Sequence, residues 1–245
     1  MTNPVTGYAF PDLAAAIGLS AGGLAYAVRG RRSTLLAPSV YRGVETRPAI
    51  ALTFDDGPSE STPELLEILG RHGASATFFQ CGANVRRLRE VARAVARAGH
   101  EIGNHTDTHA GLYLKSSAFI YRELAAAEES IERVTGARPR LFRAPYGARW
   151  FGLRHAQQRL GLLGVMWTVI GHDWRWPTRR IAQLLIRSAR NGAILCLHDG
   201  RTTQRAPDIQ STLDAVEYVI PVLKDRGFRF ETVSQILCPN TCPNQ

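Results

Sequence analysis

The stretch Ile50-Ala51-Leu52-Thr53-Phe54-Asp55-Asp56-Gly57-Pro58 decides both the predicted fold and the predicted site. It is an apolar, strand-like run that ends on two adjacent carboxylates and is then interrupted by Gly-Pro. This pattern places the two acids at the carboxyl end of a strand, on a turn. Because two like charges repel, a metal cation, a shared proton or a basic group is expected beside them. Asp-Asp-Gly-Pro is also ordinary turn chemistry, so this stretch alone leaves both interpretations open.

Short strands alternate with helices along the rest of the chain. Further strands are predicted at residues 76–80, 101–105, 140–143, 165–170, 193–197 and 229–233. Helices are predicted at residues 62–72, 85–98, 117–134 and 209–224, the first with Thr62 as its cap and Pro63 at its first position. About seven such units without a Gly-rich nucleotide turn predict a single α/β domain, a distorted (β/α)7-type barrel, rather than a doubly wound sheet.

Composition is that of a globular protein, with 245 residues, 44% hydrophobic and 21% charged residues. The formal net charge of +9 predicts contact with something anionic, such as nucleic acid, an acidic wall polymer or anionic lipid. The sequence shows neither zinc-finger spacing nor a basic patch interleaved with aromatic residues, so nucleic acid is not expected as a partner. We expect a monomer.

The four cysteines do not form a disulfide framework. Cys81 and Cys196 lie in apolar runs and are predicted to be small buried side chains. Cys238 and Cys242 belong to a Pro/Asn-rich tail, residues 238–245, where they can pair or remain thiols.

Residues 1–45 differ in composition from the predicted domain at residues 46–237. Residues 13–28 form an apolar run without charge, followed by Arg29, Arg31 and Arg32. The run is shorter than the roughly 20 residues of a membrane span, so it is either a membrane anchor or a helix packed on the domain. Residues 1–12 contain no Lys or Arg, which is atypical of a secretory signal. The arginines after the run favour a cytoplasmic domain, in conflict with an extracytoplasmic substrate.

Polar residues repeatedly follow the predicted strands. In an α/β barrel the carboxyl ends of the strands converge on one rim, where chemistry takes place. We therefore expect one rim to collect Asp55, Asp56, His105, His109, Arg143, Tyr146, Asp173, Trp174 and His198. His105 and His109 are four residues apart, a spacing that on one helical turn lets both chelate a single ion. Two histidines and a carboxylate make the three-ligand set of a hydrolytic zinc centre, whereas an isolated pair would be two exposed helix histidines.

Five short segments resemble the motifs of the polysaccharide deacetylases, carbohydrate esterase family 4 with the NodB homology domain. In chain order they are Thr53-Phe-Asp-Asp-Gly-Pro58, His105-Thr-Asp-Thr-His109, Arg143-Ala-Pro-Tyr146, Asp173-Trp174 and Leu197-His198-Asp199. The resemblance spans residues 48–237. Each segment alone is weakly specific, but the five in series at predicted strand ends are highly specific.

The resemblance implies a role for each of these positions. Asp56, His105 and His109 are similar to the metal ligands, with Zn²⁺ expected and Co²⁺, Ni²⁺ or Mn²⁺ possible. Asp55 resembles the general base, and Arg143 the arginine that orients it. His198 resembles the general acid that protonates the leaving amine, and Asp173 the carboxylate that orients His198. Residues similar to those that contact the substrate are Tyr146, through its backbone N–H, Trp174, Pro145 and Leu197.

Two positions depart from the family pattern. Ile170 stands where the fourth motif often begins with Asp, which puts the shape of that loop in doubt. Cys196 stands where the family usually has a larger apolar residue, and a smaller side chain there is expected to enlarge the acyl pocket. His172 is expected to be a substrate contact or a loop residue rather than a ligand.

The resemblance therefore implies a metal-dependent hydrolase that removes N-acetyl groups from amino sugars of the N-acetylglucosamine type, in a polymer such as peptidoglycan or chitin-like oligomers. The alternatives are an O-acetyl deacylase of the xylan type, an N-formyl deacylase, and, from another class, a carbohydrate-binding wall protein without turnover. The expected location is the cell envelope, membrane-associated through residues 13–28 or extracytoplasmic, with the cytoplasm as the alternative.

Overall fold

A computed structural model describes residues 22–238 of the chain, which contain one sheet of nine short strands. The strands are β1 (Ser39–Val40), β2 (Ala49–Gly57), β3 (Ala76–Gln80), β4 (Glu101–Asn104), β5 (Leu141–Phe142), β6 (Leu163–Val165), β7 (Val169–Ile170), β8 (Ile194–His198) and β9 (Arg229–Phe230). Their order is β1-β6-β5-β4-β3-β2-β8-β7, and β9 pairs with the beginning of β2. Every one of these ladders is parallel.

Helices connect the strands and cover the sheet. They are α1 (residues 22–29 in the described part), α2 (Thr62–Arg71), α3 (Gly82–Arg87), α4 (Arg89–Arg97), α5 (Ser117–Thr135), α6 (Leu153–Leu160), α7 (Thr178–Ser188), α8 (Gln210–Asp225) and α9 (Val233–Leu237). A 3-10 turn spans Pro145–Gly147. The order of strands and helices and the parallel sheet confirm the predicted single α/β domain.

Strand β2 lies at the centre of the fold and is buried along its whole length. Ile50, Leu52 and Phe54 pack into the large core beneath the helices, whereas Ala49 and Ala51 pack into a second cluster that includes Phe79, Val233 and Ile236. A parallel strand that is buried on both faces needs apolar residues at successive positions. This explains why the sequence before Asp55 is an unbroken apolar run.

The sheet curls into an incompletely closed barrel. Its edges are β1 and β7, and residues 41–44 lie across the gap between them. The Thr168 hydroxyl donates to the carbonyl of Tyr41 at 3.0 Å, and the Gly43 N–H donates to the carbonyl of Gly192 at 2.7 Å. Hydrogen bonds from this loop, which also forms an antiparallel bridge between Arg42 and Ala193, thus link the two ends of a barrel that is otherwise open.

Three local predictions were wrong. The helix predicted at 85–98 is two helices, because Leu88 (φ −118°, ψ 54°) leaves the helical region between α3 and α4. The strand predicted at 165–170 is divided into β6 and β7, because the chain changes its partner there: Met166 N–H donates to Val40 O and Thr168 N–H to Ile194 O. Ser61, not Thr62, occupies the cap position of α2, and the Thr62 hydroxyl donates to Asp199 instead.

The described residues before position 46 belong to the folded unit. β1 is a member of the sheet, and the buried guanidinium of Arg149 donates to backbone carbonyls of residues 28–33. Most of the apolar run 13–28 lies outside the described residues, so the anchor stays a prediction. None of the helices in residues 22–238 has the length and apolar character that a bilayer crossing requires. Cys81 and Cys196 are buried thiols as predicted, whereas Cys242 lies outside the described residues.

Candidate active site and metal centre

Asp55 and Asp56 are neighbours in β2, yet both line the same cavity. In a regular strand adjacent side chains point to opposite faces. Here the pairing of β2 with β3 shifts register between Asp55 and Gly57, and Asp56 has a positive φ of 72°. Such a bulge re-aims a side chain at the end of a strand. The sequence predicted the position of the two acids, but the bulge that brings both into one cavity is a property of the fold.

Asp56, His105 and His109 converge on one point. The Asp56 Oδ1 atom lies 3.2 Å from His105 Nε2 and 3.0 Å from His109 Nε2, and all three side chains are buried. Asp56 Oδ1 has no hydrogen-bond partner among the described residues, although a buried polar oxygen normally has one. Three buried donor atoms of this chemistry, one of them orphaned, fit a divalent cation with an open coordination position.

The two histidines do not share a helical turn, contrary to the sequence prediction. They lie in the loop after β4, where Thr106 (φ 66°) and His109 (φ 57°) have left-handed backbones. The carboxylate of Glu123 in α5 fixes this loop by accepting the backbone N–H groups of Asp107 (3.1 Å) and Thr108 (2.9 Å). The spacing of four residues therefore brings both histidines to Asp56 through a loop rather than a helix, and Glu123 of the following helix holds that loop in place.

A hydrogen bond to the backbone fixes which ring nitrogen of His105 faces Asp56. Its Nδ1 lies 2.8 Å from the backbone carbonyl oxygen of Arg143. A carbonyl only accepts, so Nδ1 carries a proton, and in the neutral ring Nε2 is the nitrogen whose lone pair is available to a cation. Burial by itself would raise the pKa of Asp56, but the adjacent imidazoles of His105 and His109 outweigh it and hold that pKa well below its usual value. The aspartate is therefore ionised, as a metal ligand must be.

Arg143 is fully buried inside the barrel beside Asp55. Its Nη1 donates to Asp55 Oδ1 and to the Thr53 hydroxyl, each at 2.7 Å, while Nε and Nη2 donate to the carbonyls of Val165 and Met166. Its guanidinium carbon lies 4.1 Å from the centre of the Phe79 ring. A guanidinium held at this many points fixes the orientation of Asp55 and supplies its counter-charge.

His198 at the end of β8 is paired with Asp173. The Asp173 carboxylate accepts the ring Nδ1–H of His198 at 2.8 Å and its backbone N–H at 2.9 Å, and it also accepts the Thr212 hydroxyl. Burial lowers the pKa of His198, but the charge and hydrogen bond of Asp173, together with the charges of Asp56 and Asp55, raise it to about 9. His198 is therefore protonated at neutral pH, with Nε2–H left to act as a proton donor.

Asp55, Asp56, His105, His109 and His198 line one cavity of about 490 Å³. Tyr146 and Trp174 are exposed aromatic walls; the Tyr146 ring packs edge-on against His109 and the Trp174 ring against His198. Arg143 and Asp173 do not line the cavity but contact residues that do. Pro145 and Leu197, predicted as substrate contacts, are buried and do not line it.

The two departures from the family pattern have different outcomes. Ile170 lines the cavity, so that position does shape it. Cys196 does not line the cavity, and the expected enlargement of the acyl pocket is not found: the thiol is fully buried and lies 3.5 Å from Asp55 Oδ2. His172 is a loop residue whose ring contacts those of Trp174 and Trp176 at tilted angles.

Several site residues were not predicted from the sequence. Thr202 N–H donates to Asp56 Oδ2 at 2.7 Å, and the Asn84 side-chain amide donates to the carbonyls of both Asp56 and Thr202. A side chain at Gly200 would meet the Asp56 carbonyl oxygen at 2.4 Å, so only glycine allows this loop to lie so close. Arg29 and Arg201 also line the cavity. Only the Gly that follows His198-Asp199 signals this loop in the sequence.

Comparisons with known proteins agree with this geometry. The polysaccharide deacetylase family model matches residues 42–165. The chain is 37% identical, over 201 residues, to a chitooligosaccharide deacetylase of Azorhizobium caulinodans, a match that covers 78% of this chain and 95% of that protein.

Two solved structures illustrate the range of similar proteins. The Bc1960 peptidoglycan N-acetylglucosamine deacetylase is 28% identical with a TM-score of 0.77, covering 83% of this chain and 94% of that one. Wild-type BA3943 of Bacillus anthracis, a pseudoenzyme of carbohydrate esterase family 4, is 29% identical with a TM-score of 0.75, covering 83% and 69%. The same fold thus occurs in active enzymes and in a pseudoenzyme. Whether a protein of this fold is active must therefore depend on the side chains at its site.

Proposed function

The chain belongs to the polysaccharide deacetylase family, and from that premise we propose that it hydrolyses the N-acetyl group of amino sugars in a carbohydrate polymer. The proposed cation is Zn²⁺, bound by Asp56, His105 and His109. Two imidazole nitrogens and one carboxylate oxygen are ligands that suit zinc. Three protein ligands leave a coordination position for water or substrate.

One observation carries the proposal: a carboxylate and an imidazole, each paired with a buried side chain of opposite charge, face the same cavity as the triad. Asp55 is paired with the buried Arg143, and His198 is paired with the buried Asp173, whose charge raises the pKa of His198. A site that only binds sugar needs neither a supported base nor a supported acid. This pairing supports an enzyme over a binding protein without turnover.

The residues divide the proton transfers of amide hydrolysis between them. When bound, the cation supplies a Lewis acid that makes the attacking water more acidic and stabilises negative charge on the acyl oxygen. Asp55 accepts the proton of the water as it attacks the acetyl carbonyl carbon. The backbone N–H of Tyr146, a cavity residue with a φ of 58°, is the proposed second donor to that oxygen. His198 Nε2 then protonates the leaving nitrogen, so that the C–N bond breaks to give a neutral amine and acetic acid, which ionises to acetate.

The cell envelope is the proposed place of action. The net charge of +9 favours association with an anionic wall polymer, and the apolar run at residues 13–28 would suit attachment to a membrane. Both features are sequence properties that a localisation experiment can test independently of the chemistry.

A substrate panel tests the proposed function. Purified protein loaded with Zn²⁺ is assayed for acetate and for free amine on N-acetylglucosamine oligomers, and for acetate on O-acetylated xylan. We expect equal amounts of acetate and amine from the oligomers, and loss of both after chelation with recovery on adding Zn²⁺. Release of acetate from the ester alone would overturn the proposal, as would binding of oligomers with no turnover.

A further inference from the structure

Arg29 adds a cation to the wall of the catalytic cavity that the proposed chemistry does not use. It is the last residue of α1, and it lines the same cavity as Asp55, Asp56 and His198. The family model matches the chain only from residue 42 onwards. Part of this cavity is therefore built by a segment that precedes the matched region.

Arg149 fixes the backbone on both sides of Arg29. Its guanidinium donates from Nη2 to Gly30 O and from Nη1 to Ser33 O, each at 2.5 Å, and its backbone N–H donates to Val28 O at 3.0 Å. Arg149 is only 2% exposed, no carboxylate within residues 22–238 pairs with it, and burial lowers its pKa. Because a buried charge is costly unless its donors are satisfied, these carbonyls must stay in place.

The other side of the segment is tied to the cavity wall. The Arg31 guanidinium donates to the carbonyl of Thr168, the residue after the cavity residue Trp167. The segment 28–33 is thus held at two points, and Arg29 lies between them. The fold therefore fixes the position of Arg29 at the cavity wall.

The guanidinium of Arg29 makes no hydrogen bond or ion pair with the residues that the structure describes. Across residues 22–238 no carboxylate or carbonyl accepts a hydrogen bond from its guanidinium. The other cavity arginine, Arg201, by contrast donates to Gly200 O (2.8 Å) and to Asp173 O (3.1 Å). Asp55 already has Arg143 as its counter-charge, so Arg29 is not needed to neutralise it.

We propose that Arg29 recognises an anionic group, a carboxylate or a phosphate, carried by the sugar that bears the N-acetyl group or by its neighbour in the polymer. The inference rests on the proposed function and adds a substrate class to it. A guanidinium presents its donors in a planar fork that matches both anions. Arg29 is then a specificity-determining residue contributed by the N-terminal segment.

The test compares substrates that differ only in charge. Zn²⁺-loaded protein is assayed on a neutral N-acetylglucosamine oligomer, on an oligomer of equal length with a carboxylate-bearing amino sugar, and on one bearing a phosphate ester. We expect at least one anionic substrate to be preferred in kcat/KM. Arg29→Gln should lower the ratio of anionic to neutral kcat/KM by about tenfold, since one charge-assisted hydrogen bond of this kind is lost. Comparison of the carboxylate-bearing and phosphate-bearing oligomers identifies which anion Arg29 recognises.

Arg32→Gln is the matched control, because it removes the same charge from the same segment at an exposed residue that does not line the cavity. Its ratio should equal that of the wild type, and thermal unfolding should show both variants folded. An unchanged ratio in Arg29→Gln, or an equal fall in Arg32→Gln, would overturn the inference. If the wild type deacetylates no oligomer, the proposed function fails instead, and equilibrium binding of the anionic oligomers to the wild type and Arg29→Gln still decides the role of Arg29.

Discussion

Arg143 Nη1 lies 2.7 Å from Asp55 Oδ1 inside the barrel, and neither side chain is more than 5% exposed. Removing one member of a buried ion pair leaves the other charge without compensation, which costs about 3–5 kcal/mol. We expect Arg143→Met to lower the free energy of unfolding by this amount and to reduce turnover at least about tenfold. Chemical denaturation and acetate release measure the two effects.

The exposed pair Arg71–Glu217 provides the control for that prediction. Exposed ion pairs contribute about 1 kcal/mol or less, so Arg71→Met should change stability little and turnover not at all. Equal losses in the free energy of unfolding in the two variants would show that the buried ion pair stabilises the protein no more than the exposed one.

Adjacent aspartates should give different defects. Asp55→Asn removes the proposed base but none of the atoms of the metal triad, so turnover should fall by about 100-fold or more with the metal retained. Asp56→Ala removes the carboxylate on which both histidines converge, so the metal itself should be lost. Metal content per chain, measured on dialysed protein beside the assay, separates the two; loss of metal in both variants would contradict the division of roles.

Asp173 sets the protonation of His198, and its effect appears in the pH profile. The carboxylate raises the pKa of His198 to about 9, so its removal lowers that pKa. In Asp173→Asn the alkaline limb of kcat/KM should therefore move to lower pH, because the acid loses its proton earlier. An alkaline limb at the wild-type position would show that His198 does not limit the rate there.

The same pair links stability to pH in the metal-free protein. The pKa of His198 in the folded state, about 9, exceeds its ordinary value of 6.5. Its contribution to stability is therefore fully present below pH 6.5 and is lost as the pH rises towards 9. We expect His198→Gln to reduce the fall in Tm between these pH values, whereas exposed His155→Gln should leave that fall as in the wild type.

Truncation tests whether the N-terminal residues are separable. Removal of residues 1–45 deletes β1 and the carbonyls that satisfy the buried Arg149, so stability should fall by several kcal/mol, on the order of the cost of an unsatisfied buried charge. Removal of residues 1–21 alone deletes none of these contacts and should leave Tm close to that of the full chain. Equal Tm values for the two truncations would show that residues 22–45 are only a linker.

The sequence determined the class of fold and most of the site because those signals are local. An apolar run that ends in Asp55-Asp56, and polar residues such as His198 at later strand ends, reveal buried parallel strands with their chemistry at one rim. The resemblance in five ordered segments then pointed to the family that the comparisons show.

Only the tertiary structure decided how these residues meet. The bulge at Asp56, the looped rather than helical His105 and His109, and the clamp of Arg149 on the segment that carries Arg29 depend on contacts between residues far apart in the chain. No local pattern encodes such contacts, because they form only when separate elements pack against one another. For that reason the fold class and the residues at its rim could be predicted from the sequence, whereas the part of the cavity wall that we propose selects the substrate could not.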